Sequence, residues 1–192
     1  MTTETSRLAP SIWRRWSDAL SRRDDPFRTV ALATVGLDGA ALARMVVLRD
    51  AHEESRRLEF HTDARSPKVA QLSAEPRATL LFWDPAARLQ LRAEGRVQLF
   101  GAGTPEADER FERLSETAKR TYQTDPPAGT PLHGSETAPI RTEGAGDLAR
   151  SVFTVAWLTV ERIDWLQLSD EGQRRAEIVY EGEGATQLWI AP

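Results

Sequence analysis

The chain is predicted to be mainly β, an antiparallel barrel with a few helices at its rim. Three observations predict this class. Most apolar runs are short or alternate with polar residues, and they end at Pro, Gly, Asp or charge clusters, as in "RLEFHTD", "ATLLFWD" and "RLQLRAEGRVQLF". No strand–helix–strand alternation of a parallel sheet runs through the sequence. Helical periodicity is confined to a few segments, too few to cover a sheet on both faces.

Pro10 and Ser11 precede Ile12, Trp13, Trp16, Ala19 and Leu20, whose spacing makes one apolar stripe and predicts a helix over 11–22. "RTVALATV", the turn "GLDG" and "AALARMVVLRD" form a hairpin. "RLEFHTD" is the next strand. A helix then starts with Ser66 as N-cap and Pro67 at its first position, where the missing N–H costs no bond, turns Val69 and Leu72 inward and stops at Pro76. "ATLLFWD" and "RLQLRAEGRVQLF" follow. In the latter Leu89, Leu91 and Ala93 point one way and Gln90, Arg92 and Glu94 the other. "TPEADERFERLSETAKRTYQ" is predicted as one helix starting at Thr104 and Pro105, with Ala107, Phe111, Leu114 and Ala118 as its apolar stripe. Residues 124–146, rich in Pro, Gly, Thr and Ser, are expected to be a long flexible loop. Strands resume as "SVFTVAWLTV", "RIDWLQL", "RAEIVYEG" and "TQLWIAP", giving eight or nine in all within one domain over 1–192.

Composition narrows the function. At 192 residues, 40% hydrophobic and 28% charged, the sequence suits one folded domain. A net charge of −4 leaves no footprint for nucleic acid or an anionic membrane. The absence of cysteine excludes disulfides, thiolate metal sites and a cysteine nucleophile. His52, His61 and His133 lack ligand spacing, so no metal site is expected. The polar, then amphipathic start and the lack of an apolar run near 20 residues predict a cytoplasmic protein.

One stretch asks for an anion. In "FHTDARSPK", Arg65, Ser66 and Lys68 meet at a helix N-terminus, which carries unpaired N–H groups and partial positive charge. Phosphate suits this set, because arginine offers a fork and lysine a compact charge. Arg44 opens "RMVVLR" and Arg49 closes it. Five apart on a regular strand, they face opposite ways, and one joins the anion site. The same residues also fit ordinary helix capping beside solvated arginines, and both nucleotide-loop patterns, GxxxxGK[ST] and GxGxxG, are absent.

The order "RMVVLR", "LEFHTDARSPKVAQLSAEPRATLLFW", "LQLRAEGRVQLF" and "RIDWLQL" resembles the pyridoxamine 5′-phosphate oxidase family of FMN-binding split barrels, from about residue 28 to the C-terminus and least between 101 and 150. The resemblance implies an antiparallel, Greek-key-like split β-barrel that forms a homodimer with FMN between the subunits. It implies that Arg44 reaches the FMN phosphate or ribityl chain, that the backbone of Met45, Val46, Val47 and Leu48 lines the flavin ring, and that His61 and Thr62 stand at cofactor-touching positions. Ser66 and Lys68 match the phosphate-binding end of a Ser-Arg-Lys segment whose arginine is Pro67 here, with Arg65 as the replacement charge. Arg49 takes the place of a lysine, and Gln90 that of a flavin-bonding glutamine. Trp165 stands one position before a cofactor-packing tryptophan. The family's Arg-x-His, which holds pyridoxamine phosphate, is followed by another arginine; "GQRRAEIVY" offers Gln173, Arg174 and Arg175, then Glu177, so a different small donor is expected to bind near Arg174, Arg175 and Tyr122. Three functions follow: an FMN-dependent oxidoreductase passing a hydride from a small donor to FMN, a non-catalytic FMN-binding or redox-sensing module, or a split barrel with another ligand.

Overall fold

The computed structural model describes residues 8–132, 134, 145–182 and 184–192. Eight strands form it: β1 (Thr29–Val35), β2 (Ala41–His52), β3 (Arg57–Asp63), β4 (Arg77–Asp84), β5 (Leu89–Phe100), β6 (Phe153–Gln167), β7 (Arg174–Glu181) and β8 (Gly184–Ile190). They pair antiparallel in the order β3-β2-β1-β4-β5-β6-β7-β8, and a further β3–β6 pairing closes the first six into a barrel. The predicted class is therefore correct.

Strand β6 makes the closure possible. One edge pairs with β5 along residues 155–167; the other pairs with β3 at 153–159 and then with β7 at 162–167. The sequence suggests two strands here because Glu161 and Arg162 interrupt the apolar run. Instead the ladder continues through a bulge opposite Glu94 and Gly95. Gly95 is required there: a Cβ would lie 1.9 Å from the Thr159 carbonyl oxygen. Ser151 and Val152, expected in a strand, end helix α5 (Ala145–Val152).

Helix α1 (Leu8–Ser21) starts three residues earlier than expected and buries Ile12, Trp13, Trp16 and Ala19. Trp16 packs on Phe82 with ring centroids 5.3 Å apart. Helix α2 (Pro67–Ala74) starts and stops as predicted, although its fully turned-in residues are Gln71 and Leu72 while Val69 is half-buried. The single helix expected after Thr104 is two, α3 (Pro105–Glu112) and α4 (Glu116–Arg120). At the break Ser115 adopts extended backbone and its Oγ accepts the Ala118 N–H at 3.3 Å, capping the new helix. Tyr122 then turns inward onto Phe153, 5.2 Å between centroids, in a satellite core with Phe111, Ala149 and Val155.

Of the loop expected over 124–146, residues 145 and 146 open α5, while 133 and 135–144, including His133, lie outside the described residues. Among the described residues no helix is long and apolar enough to cross a membrane, and no cluster of ligating side chains could hold a metal.

Candidate cofactor site

The inward row of β2 is Leu48, Val46 and Arg44, the first two buried, so the strand's alternation carries a cation to one mouth of the barrel. Neighbouring β1 supplies Thr34, which continues its own buried row of Val30 and Leu32. Helix α2 crosses this mouth. Arg44 donates from Nη1 to Thr34 Oγ1 and from Nη2 to Gln71 Oε1 at 2.8 Å. Thr34 Oγ1 in turn donates to Gln71 Oε1 at 2.8 Å.

Lys68, in the first turn of α2, reaches back to the same place. Its Nζ donates to Ser66 Oγ at 2.6 Å and to Thr62 Oγ1 at 3.1 Å. Ser66 makes no side-chain cap bond to its helix, so its hydroxyl serves the lysine instead. Burial lowers the pKa of Arg44; burial and then the charge of Arg44 lower that of Lys68, with Asp63 opposing. Two cations thus destabilise each other, with hydroxyls, a carbonyl and an amide oxygen as hydrogen-bond partners. A phosphate dianion is the group that such a pair would stabilise.

Arg65 stands beside this pair with its charge engaged by Asp63, Nη2 to Oδ2 at 2.6 Å, while Nη2 also donates to the Thr124 carbonyl at 3.1 Å. His61 faces outward. Its Nε2–H donates to Glu59 Oε1 at 2.8 Å, its ring meets Phe153 edge-on at 4.9 Å, and its Nδ1 is buried without a hydrogen bond. Burial pushes the Glu59 carboxyl up, but bonds from His61, Arg110 and Trp157 outweigh it and bring the pKa to about 2.

The outer row of β2 holds Met45, which is 60% exposed, half-buried Val47 and exposed Arg49. The opposite orientation of Arg44 and Arg49 is as the sequence predicts. Burial raises the Tyr122 phenol to about 12, with the charge of Arg49 opposing the rise and that of Asp63 adding to it.

Gln90, Trp165, Arg174 and Arg175 lie elsewhere. Gln90 pairs with Trp83 and Leu166 on the outer side of β5. Trp165 meets Trp189 edge-on at 5.8 Å, and the Arg174 guanidinium lies 4.7 Å above the Trp189 ring. Arg175 is ion-paired at 2.6 Å with Asp164, a carboxylate that also takes Arg92 at 2.7 Å. Around the six-stranded barrel, β2 and β5 are three strands apart in either direction. Gln90 therefore lies on the wall opposite Arg44, while Trp165, on β6, is two strands from β2 and beyond the 153–159 stretch that pairs with β3. Sequence reasoning missed Thr34, Gln71 and Trp189. The first two were detectable as polar residues at positions where the strand and helix periods demand an apolar one.

Residues 10–101, which include Arg44, Lys68 and Gln90, match the family described as pyridoxamine 5′-phosphate oxidase, FMN-binding domain. Over that stretch, just under half of its length, the chain is similar to this family. The cofactor of the domain is FMN. Among curated relatives, the pyridoxine/pyridoxamine 5′-phosphate oxidase of Thermosynechococcus vestitus is 38% identical over 96 residues, 50% of this chain and 44% of that protein. The enzyme of the same name from Bordetella petrii is 40% identical over 95 residues, 48% of this chain and 44% of its own. Oxidase 2 of Arabidopsis thaliana is 26% identical over 144 residues, covering 72% and 73%. The two bacterial matches thus span less than half of those relatives. Among solved structures, a pyridoxamine 5′-phosphate oxidase-related FMN-binding protein of Nostoc punctiforme superposes with a TM-score of 0.75 at 24% identity, covering 95% of this chain and 96% of that one. PhzG of Burkholderia lata, in complex with tetrahydrophenazine-1-carboxylic acid, gives 0.70 at 17%, covering 100% and 94%. Both share the fold.

Proposed function

We propose that this chain is an FMN-dependent oxidoreductase acting on a small donor, with the FMN phosphate held between Arg44 and Lys68. The observation that carries the reading is that cation pair at the barrel mouth, whose lowered pKa values and hydroxyl partners suit an incoming dianion. Ser66 and Thr62 orient Lys68; Thr34 and Gln71 orient Arg44. Arg65 keeps the Asp63 carboxylate occupied beside the phosphate.

The backbone of Met45 to Leu48 would line the ring edge, with Arg49 at its end and His61 beside it. When bound there, FMN would supply the hydride-accepting and electron-passing chemistry for oxidation of the donor. The protein's part is to position the donor and exclude water. Arg49 and Tyr122 offer an anionic donor group one anchor, and Arg174 another. Arg175 is spent on Asp164, and Gln173, Arg174 and Arg175 stand where the family has its Arg-x-His, which argues against pyridoxamine phosphate as the donor.

A second copy completes the site. Gln90 is on the wall opposite Arg44, so it meets a flavin held by a partner's β2 in a cytoplasmic homodimer, with Trp165 on the neighbouring strand β6. The outer row Met45, Ala31 and Leu81, adjoining in register across β2, β1 and β4 and followed by exposed Trp83, gives an apolar face for that contact.

The purified protein is expected to show flavin absorption, lost in an Arg44→Ala/Lys68→Ala double variant, and to reduce its flavin with a small amine or a nicotinamide donor. Bound flavin without reduction by any donor would instead favour the storage or sensing reading, for which the neutralised Arg175 speaks. A colourless protein that fails to take up FMN would overturn both.

A further inference from the structure

A cavity of about 690 Å³ opens away from the barrel mouth, between α1, the β2–β3 turn and the β7–β8 hairpin. Its polar lining is Glu53, Glu54, Arg56, Tyr180 and Gln187, and its size is that of a small-molecule site. Two donors point to an absent acceptor. Gln187 Nε2 is buried and makes no hydrogen bond, although it sits on the inner face of β8 opposite Ile178. The Tyr180 hydroxyl already accepts the Trp13 Nε1–H at 2.8 Å, which leaves its own proton to be donated in another direction.

Charges of both signs flank that phenol. Burial raises its pKa, and Glu53 raises it further while the Trp13 bond and Arg56 lower it, so carboxylate and guanidinium both act on the hydroxyl. Arg56 is held over the Tyr180 ring at 5.3 Å from a backbone with φ of +53°, a region that costs a side-chain-bearing residue energy. The remaining wall, Pro10, Trp13 and Ile178, is apolar.

We propose that this cavity binds a small zwitterion of the amino-acid class. Gln187, Tyr180 and Arg56 take its carboxylate, Glu53 and Glu54 take its ammonium, and the apolar wall takes an aliphatic or aromatic side chain. Nothing in the oxidoreductase reading uses these residues, and the site is independent of FMN.

The test is calorimetric titration of the full-length, FMN-loaded protein with L-leucine and L-phenylalanine, against L-leucinamide and N-acetyl-L-leucine, each lacking one charge. Saturable binding of an amino acid at low millimolar concentration is expected, weakened about tenfold or more by loss of either charge. Gln187→Leu should weaken it by a similar factor while leaving the melting temperature unchanged or raised, because it removes an unsatisfied buried donor. A Glu53→Gln/Glu54→Gln variant should lose discrimination against N-acetyl-L-leucine. The proposal is overturned if neither amino acid binds, if the one-charge compounds bind equally well, or if Gln187→Leu binds like the wild type.

Discussion

Replacing Lys68 by methionine, nearly the same length without the charge, should move cofactor affinity and apo stability in opposite directions. In the apo protein Lys68 is a half-buried cation beside Arg44, with only Ser66 and Thr62 hydroxyls as hydrogen-bond partners. Its pKa is lowered from 10.5, first by burial and then by Arg44. A base with a depressed folded pKa costs stability while protonated. The unfolded chain binds the extra proton, so stability rises with pH between the folded value and 10.5. Lys68→Met removes that cost, and the apo melting temperature should hold or rise, with its upward slope at alkaline pH flattened. Binding should suffer instead, since a charge-assisted hydrogen bond to phosphate is worth about 1.5–3 kcal/mol, or roughly 10- to 150-fold in Kd. Quenching of FMN fluorescence measures the second quantity and thermal denaturation the first. A Kd within twofold of wild type would refute the phosphate assignment, and a large fall in apo melting temperature would make Lys68 a structural residue.

Other perturbations test the frame around that site. Gly95→Ala places a Cβ on the Thr159 carbonyl and should cost about 3 kcal/mol, read as a lower urea midpoint; an unchanged midpoint would mean that the bulge can rearrange. Glu59 is ionised down to about pH 2 by His61, Arg110 and Trp157, so its stabilisation is complete above its ordinary 4.5 and is lost as pH falls toward 2. Glu59→Gln should flatten that acid limb and destabilise at neutral pH by about 1–3 kcal/mol, since the partly buried Arg110 loses its close partner and keeps only the longer contacts to Asp50 and Glu109; an unaltered acid limb would contradict this. A Met45→Glu/Leu81→Glu variant should elute as a monomer and bind FMN weakly, and a dimer with full affinity would remove the outer face of β2, β1 and β4 from the interface.

Much of the fold is legible in local pattern because the barrel is built from neighbours in sequence. The β1–β2 hairpin, the start of α2 at Ser66 and Pro67 and the alternation of β5 are all short-range consequences of residue type. The errors arise where long-range pairing decides. Nothing local says that Glu161 and Arg162 interrupt only the side-chain pattern and leave the ladder intact; that depends on Gly95 lying opposite. Ser115 could sit inside a helix or start one, and packing of Tyr122 on Phe153 selects the second. The phosphate end of the site is readable because "ARSPK" is contiguous. The part carried by Gln90, on β5, is separated from it by the barrel itself.

The same closure explains why the anion site is where it is. Three adjoining strands carry inward rows that turn polar at the same mouth: Val30, Leu32 then Thr34; Leu48, Val46 then Arg44; Leu58, Phe60 then Thr62. A barrel of six strands fills its interior with side chains, so its last layer is normally apolar or capped. Here α2 caps it with Ser66, Lys68 and Gln71, giving up apolar burial for a set of hydroxyls, an amide and two cations. That layer holds two partly buried like charges, which a phosphate would neutralise. FMN should therefore stabilise the protein by mass action, about 2.7 kcal/mol at a hundredfold excess over Kd. Riboflavin, which keeps the ring and lacks the phosphate, should give little of it. Equal shifts in melting temperature from the two ligands would show that the ring, and not this mouth, carries the binding.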